Sequence, residues 1–226
     1  MTLQIRPRQD RGQFNHGWLE TAHTFSFGHY FDPQWHQFRT LRVMNEDVVH
    51  PGQGYGKHGH KDMEILTWVL DGELEHQDSL GHGERLRPGE MQWMSAGSGI
   101  RHSEFNPSSE QPVHLYQIWP LPDRAGHTPA YGQKAFDAQG RRNQWQIVAS
   151  PDGRHDSLTI RQDATVAVAH LEAGTSLETP LPANRYGWLQ VLKGDVQLDA
   201  QELAAGDGVA MSELHGFTLQ SQQGGD

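Results

Sequence analysis

The sequence predicts an all-β protein of short strands, on three observations. Apolar or alternating runs of strand length recur along it: LRVMNEDVV, MEILTWVLDG, GELEHQDS, GEMQWMSAG, VHLYQIWPL, QWQIVAS, SLTIRQDATVAVAHL, YGWLQVLKGDVQLD and GDGVAMS. No stretch carries an apolar stripe at helical spacing through three turns. The 25 Gly and 12 Pro punctuate the runs with turns. Many short strands joined in this way build a sandwich or a barrel. The one short helix expected lies in GQKAFDAQ, Gly132 to Gln139.

Along the chain, the first group of runs ends at VHLYQIWPL and the second begins at QWQIVAS. Between them Pro120 to Arg142, PLPDRAGHTPAYGQKAFDAQGRR, is rich in Pro, Gly and charge and reads as an inter-domain connection. The expected domains are therefore 1–125 and 126–226, the second including the connection to about residue 142. The halves also echo each other. ILTWVLDGELEHQD followed by RLRPGEMQWMSAG resembles GWLQVLKGDVQLDA followed by QELAAGDGVAMSE, a weak repeat of a sheet unit explained by duplicated domains.

With 226 residues the chain buries a substantial core, as one large all-β domain or two of roughly 100 residues. It contains no Cys, which excludes disulfides, thiolate metal sites and cysteine nucleophiles, so any metal is held by imidazole or oxygen. The net charge of -10, with no basic cluster denser than GRRNQ, argues against direct docking on nucleic acid. The N-terminus has no apolar stretch of signal-peptide length and no run approaches the roughly 20 apolar residues of a membrane span. A soluble cytoplasmic protein is the expectation. GQGYG lacks the Lys-Ser/Thr ending of a phosphate loop, and no serine elbow lies in an α/β setting.

Twelve of the 15 His lie at or before His127, which places the imidazole chemistry in the first half. His58 and His60 in GQGYGKHGHKDME stand at i and i+2, so an extended strand presents both on one face. Glu64 has the same parity if the strand is unbroken. His102 and Glu104 in AGSGIRHSEFNP repeat the spacing. Two such pairs on adjacent strands give three imidazoles and one carboxylate, a set that holds a divalent first-row metal and leaves positions for water, substrate or dioxygen.

Gly52 to Gly72, GQGYGKHGHKDMEILTWVLDG, resembles the first cupin motif, and Gly89 to Asn106, GEMQWMSAGSGIRHSEFN, resembles the second in the form used by pirins. With HTFSFGHYFDP and VHLYQIWP, these segments are similar to the bacterial pirin-like quercetin 2,3-dioxygenase group of the pirin family. The resemblance implies a bicupin, two antiparallel β-barrel (jelly-roll) domains packed face to face. It implies one divalent metal ion, ferrous iron with other first-row divalent metals as alternatives, in the N-terminal barrel on His58, His60, His102 and Glu104, with Glu104 also the candidate catalytic base. Glu64, a ligand in many other cupins, is then expected behind the ligands, with direct ligation as the alternative. The second half has no His-x-His, so its barrel is expected to be metal-free, with His215 a surface or packing residue.

The implied activity is dioxygenase cleavage of a flavonol such as quercetin, with a small aromatic substrate and dioxygen as partners and release of carbon monoxide. The alternative is a non-enzymatic pirin-like regulator whose metal reports redox state to a partner protein, and a third is a sugar-binding or isomerase cupin. Two fused barrels can satisfy each other's sheets, which is compatible with a monomer.

Other residues also have plainer roles open to them. His76 and Asp78 share parity and are expected to satisfy strand or turn polar groups, with a hydrogen bond to a metal ligand as the alternative. His23, His29 and Phe27 either reach the mouth of the first barrel or leave Phe25 and Phe27 to packing and the histidines to solvent. Trp68, Trp93, Trp119 and Trp188 are expected in core or interface, and Met63, Met91 and Met94 as filling. Phe105 and Pro107 are placed at the pocket rim. Arg101 is expected to point away from the interior.

Overall fold

The computed structural model describes residues 2–226. Apart from short 3-10 turns its elements are strands, numbered here in chain order. Among the described residues no helix is long and apolar enough to cross a membrane. The chain divides into two compact units: Gly12–Phe136 with Ile147–Val166, and the stretch up to Arg11 with Asp137–Gln146 and Ala167–Asp226.

In the first unit a seven-stranded sheet runs in the order β12 (Ala130–Ala135), β9 (Glu90–Ser95), β6 (Glu64–Asp71), β11 (Val113–Pro120), β4 (Leu41–Val49), β3 (Leu19–His23), β2 (Gly12–Asn15). A four-stranded sheet runs β5 (Gly54–His60), β10 (Ile100–Phe105), β7 (Leu74–Asp78), β8 (Gly83–Leu86). Leu19, Val49, Val69, Val113 and Leu115 of the larger sheet pack with Leu74 and Leu86 of the smaller. The two sheets therefore share one apolar core, as alternating inward residues require. A small sheet of β14 (Leu158–Thr159), β13 (Gln146–Ser150) and β15 (Val166–Val168) completes the middle of the chain.

The second unit has a three-stranded sheet, β1 (Thr2–Arg6), β20 (Gly208–Ser212), β17 (Gly187–Gln190). Its four-stranded sheet runs β16 (Thr175–Pro180), β21 (Gly216–Ser221), β18 (Asp195–Leu198), β19 (Gln201–Ala204). Leu189, Val191, Leu198, Leu203, Val209 and Leu219 lie in its core.

The repeat seen in the sequence is a repeat of pairing. β6 pairs with β9 while the intervening β7 and β8 pair in the other sheet. β17 and β20 enclose β18 and β19 in the same way.

The expectation of two closed antiparallel barrels is corrected. Among the described residues every sheet is open: the seven-stranded sheet ends at β12 and β2, the four-stranded sheet of the first unit at β5 and β8, and no ladder joins the two. Strand alternation shows that one face of a strand is buried; it carries no information on whether the last strand pairs with the first. The helix expected in GQKAFDAQ is also absent. Residues up to Ala135 extend as β12, paired along its length with β9, and only Ala138–Arg141 forms a 3-10 turn.

Candidate metal centre

The four-stranded sheet of the first unit carries the histidines. β10 pairs with β5 so that His102 lies opposite His58 and Ile100 opposite His60. Between His102 and Glu104 the register slips: Glu104 lies opposite Tyr55, one residue further than regular pairing allows. Such a bulge re-aims side chains locally. At this slip the two backbones approach closely. A Cβ at Gly54 would stand 2.2 Å from the Glu104 carbonyl oxygen, so the position accepts only glycine.

These strands bring the three imidazoles together. Ring centroids lie 4.7 Å apart for His58 and His60, 4.4 Å for His58 and His102, and 4.9 Å for His60 and His102. One nitrogen from each of the three falls within 4.8 Å of the others, and His102, Glu104 and His76 form a second group at the same spacing. His58 Nδ1 lies 2.8 Å from the Gly56 carbonyl oxygen, to which it donates, leaving Nε2 as its lone pair.

The buried atoms test whether a metal fits. His60 Nε2, His102 Nε2 and Glu104 Oε1 are buried and have no hydrogen-bond partner. Buried polar atoms in native proteins are almost always satisfied. His60 and His102 belong with His58 to one group of candidate ligand atoms, whereas Glu104 groups with His102 and His76 and is not grouped with His58 or His60. Bare nitrogen and oxygen atoms of this kind suit divalent first-row metals. The His/Glu cluster is a metal-binding site.

Electrostatics agree. Burial pushes His60 down to about 4, helped by His102 and His58. Burial likewise pushes His102 down to about 3, with His58 and His76 adding to it and Asp78 opposing. Both rings are neutral near pH 7, the state that binds metal. Burial raises Glu104, against the opposing influence of His76, the bond from Gln117 and His58. A nearby dication reverses that penalty.

The seven-stranded sheet supplies the far wall. His23, Asn45, Gln117, Thr67 and Gln92 lie opposite one another across β3, β4, β11, β6 and β9, a polar row on one face. Gln117 Nε2 donates to Glu104 Oε2 at 2.9 Å, and Trp119 Nε1 donates to Gln117 Oε1 at 3.1 Å. The Trp119 ring stands edge-to-face on His60, centroids 5.0 Å apart, and Phe27 stands against Trp119 at 5.4 Å.

Other expected residues fall as follows. Glu64 is wholly buried, but Trp93 Nε1, Ser95 Oγ and the Arg161 backbone N–H donate to its carboxylate at 2.7, 2.5 and 3.0 Å. It ties strands and a loop together and belongs to neither group of candidate ligand atoms. His76 Nδ1 lies 3.4 Å from His102 Nδ1, and Asp78 continues from His76. Phe27 reaches the site through Trp119, and His23 packs against Phe27 at 5.1 Å, whereas His29 is exposed. Phe25, Trp68, Met91 and Met94 are core; Trp93, Trp188 and Met63 are half-buried. Phe105 and Arg101 are exposed, and so is His215 in the other unit.

Gln117 was missed in the sequence, although a polar residue sharing parity with Leu115 and Trp119 inside VHLYQIWP is a readable signal. His82, whose Nδ1 lies 2.9 Å from Asp78 Oδ2, and Tyr131, stacked on both His76 and His82, gave no such signal.

Comparison with known proteins places this site in a family. Residues 4–120 match the family model described as Pirin, and residues 147–226 match that of the Quercetinase C-terminal cupin domain. The chain is 46% identical over 220 residues to a quercetin 2,3-dioxygenase of Escherichia coli strain K12, spanning 97% of this chain and 94% of that protein. It is 40% identical over 218 residues to a pirin-like protein of Caulobacter vibrioides, spanning 96% and 94%. The crystal structure of the bacterial pirin YhhW of Escherichia coli in complex with nickel(II) superposes with a TM-score of 0.94 at 44% identity, covering 99% of this chain and 96% of that one. The chain belongs to the pirin family.

Proposed function

We propose that this pirin-family protein is a metal-dependent dioxygenase that opens a flavonol such as quercetin with release of carbon monoxide, using ferrous iron held by His58, His60, His102 and Glu104. The observation that carries the reading is the grouping of the His58, His60 and His102 imidazoles, with bare, buried ligand atoms on His60 and His102 and another on Glu104, which groups with His102. Similarity over nearly the whole length to a quercetin 2,3-dioxygenase supports the choice of substrate class. Bound iron supplies a Lewis acid and a redox centre for a flavonol oxygen and dioxygen.

The chain's own groups do the rest. Glu104 is held at Oε2 by Gln117, which leaves Oε1 for the metal or for a proton. Burial raises the proton affinity of Glu104, and its bare Oε1 is the atom that would take the proton of an enolic hydroxyl. Trp119 and Phe27 offer apolar rings beside His60 on which a planar aromatic substrate packs. Flavonol and dioxygen balance as a ring-opened depside plus carbon monoxide, with both oxygen atoms retained in the products.

The test is dioxygen uptake by iron-loaded protein with quercetin, headspace carbon monoxide being measured beside the His60→Ala variant. Uptake and carbon monoxide are expected in the parent and lost in the variant. No uptake by verified ferrous protein overturns the enzymatic reading and turns the search to a regulatory partner. Full stoichiometric metal in His60→Ala overturns the ligand set.

A further inference from the structure

We infer that His76, Asp78 and His82 form a positioning chain that dictates which nitrogen of His102 carries the proton, and so keeps His102 Nε2 bare for the metal. The inference rests on the metal centre proposed above. His76 and Asp78 have fully buried side chains, whereas His82 is 39% exposed, so the chain runs from the ligand to the protein surface.

Proton positions follow from the far end. A carboxylate only accepts hydrogen bonds. Asp78 is fixed: its Oδ1 accepts from the backbone N–H groups of Leu80 at 2.8 Å and His82 at 3.1 Å, and its Oδ2 accepts from His82 Nδ1 at 2.9 Å. His76 Nε2 lies 3.5 Å from the same Oδ2 and must be the donor. The His76 side chain has no surface exposure, and an imidazole so placed is held neutral with one ring proton, so with Nε2 as the donor its Nδ1 is a lone pair. That lone pair lies 3.4 Å from His102 Nδ1, which must carry the proton. The remaining His102 nitrogen, Nε2, is the buried atom without a partner at the candidate centre.

Ring planes are held as well as protons. Tyr131 stacks on His76 with 18° between planes and on His82 with 20°. β7 and β10 set the spacing, since Asp78 pairs with His102 and His76 with Glu104. An acceptor behind a metal-bound histidine fixes its tautomer and strengthens it as a ligand. Here the acceptor is a second imidazole whose own state is set by a carboxylate one step further out.

Asp78→Asn separates this role from a structural one. The amide oxygen still serves the two backbone donors of the turn, while the NH2 group replaces Oδ2 and donates. His76 Nε2 must then accept, its proton moves to Nδ1, and His102 is forced to carry its proton on Nε2, facing the metal. The same substitution logic inverts a histidine tautomer in catalytic triads.

The experiment is 15N NMR of histidine-labelled, metal-free protein, with Ni2+ affinity measured by competition against a chromophoric chelator. Expected are His102 protonated at Nδ1 in the parent, exchange of both tautomers in folded Asp78→Asn, and a loss of roughly 10- to 100-fold in Ni2+ affinity. Unchanged tautomers, or affinity within about twofold, in the folded variant overturns the inference. Should the variant not fold, the parent spectrum decides alone: a proton on His76 Nδ1 overturns the chain. Absence of Ni2+ binding by the parent overturns the metal reading instead, and the tautomers of the metal-free protein still judge the chain.

Discussion

Gln117 holds one oxygen of Glu104 and leaves the other bare. Its Nε2 donates to Glu104 Oε2 at 2.9 Å, while Oε1 is buried without a hydrogen-bond partner. A carboxylate held in this way binds a cation through one oxygen. Gln117→Leu removes the donor and also the acceptor of Trp119 Nε1. We expect a loss of roughly 10- to 100-fold in turnover or metal affinity, the range found when partners of metal ligands are removed. Steady-state kinetics and a chelator titration check this, and a variant equal to the parent in both would show that Gln117 does no more than fill space.

Glu64 poses the opposite case, a buried acid whose partners are all internal. Glu64→Ala strands the donors of Trp93, Ser95 and Arg161. A buried unsatisfied donor costs about 1–3 kcal/mol, so a destabilisation of about 3 kcal/mol is expected, allowing for water entering the gap. Metal stoichiometry should stay at the parent value. Denaturant unfolding with metal analysis on the folded fraction is the check, and loss of metal from folded Glu64→Ala would restore Glu64 to the ligand candidates.

Gly54 tests the backbone behind the site. A methyl group there meets the Glu104 carbonyl oxygen at 2.2 Å and Phe105 Cα at 2.5 Å, and backbone atoms do not yield as a flexible side chain does. Gly54→Ala should push β5 from β10 at the register slip and move Glu104 relative to His58. Reduced metal affinity is expected in a protein whose second unit is unaffected. Parent-like affinity would show that the strands can part without disturbing the ligands.

Legibility in the sequence divides along physical lines. His58 with His60 and His102 with Glu104 stand out because ligand chemistry restricts residue type and strand geometry restricts spacing; the β5–β10 pairing brings the three imidazoles together, while Glu104 groups with His102 and His76. The paired sheet repeat was legible because each Gly turn between apolar runs is local. That the sheets stay open was not, since closure depends on edges far apart in the chain. The attachment of β1 to β20 was hidden for the same reason: Thr2 pairs with Ser212, a contact that no local pattern announces. Glu64 shared the parity of the histidines only on an unbroken strand, and the break between β5 and β6 turns it to Trp93 and Ser95 instead.

The depressed histidines give the metal-free protein a signed pH dependence. His60 titrates at about 4 when folded against about 6.5 for a free imidazole, and His102 at about 3. Between those values the unfolded chain binds protons that the folded chain refuses, so these groups contribute stability that is present above about 6.5 and is lost as pH falls through about 4. Glu104 has the opposite sign. Its raised pKa makes the folded chain take a proton first, so its contribution is present at low pH and lost as pH rises through its folded value. His60→Ala should therefore flatten the acid side of the stability profile, and Glu104→Gln should steepen it. Urea unfolding of metal-free protein from about pH 7 to about pH 4 reads both slopes. Parallel profiles for the parent and His60→Ala would show that folding leaves the His60 pKa unshifted, so that burial does not hold the ring neutral below about pH 6.5.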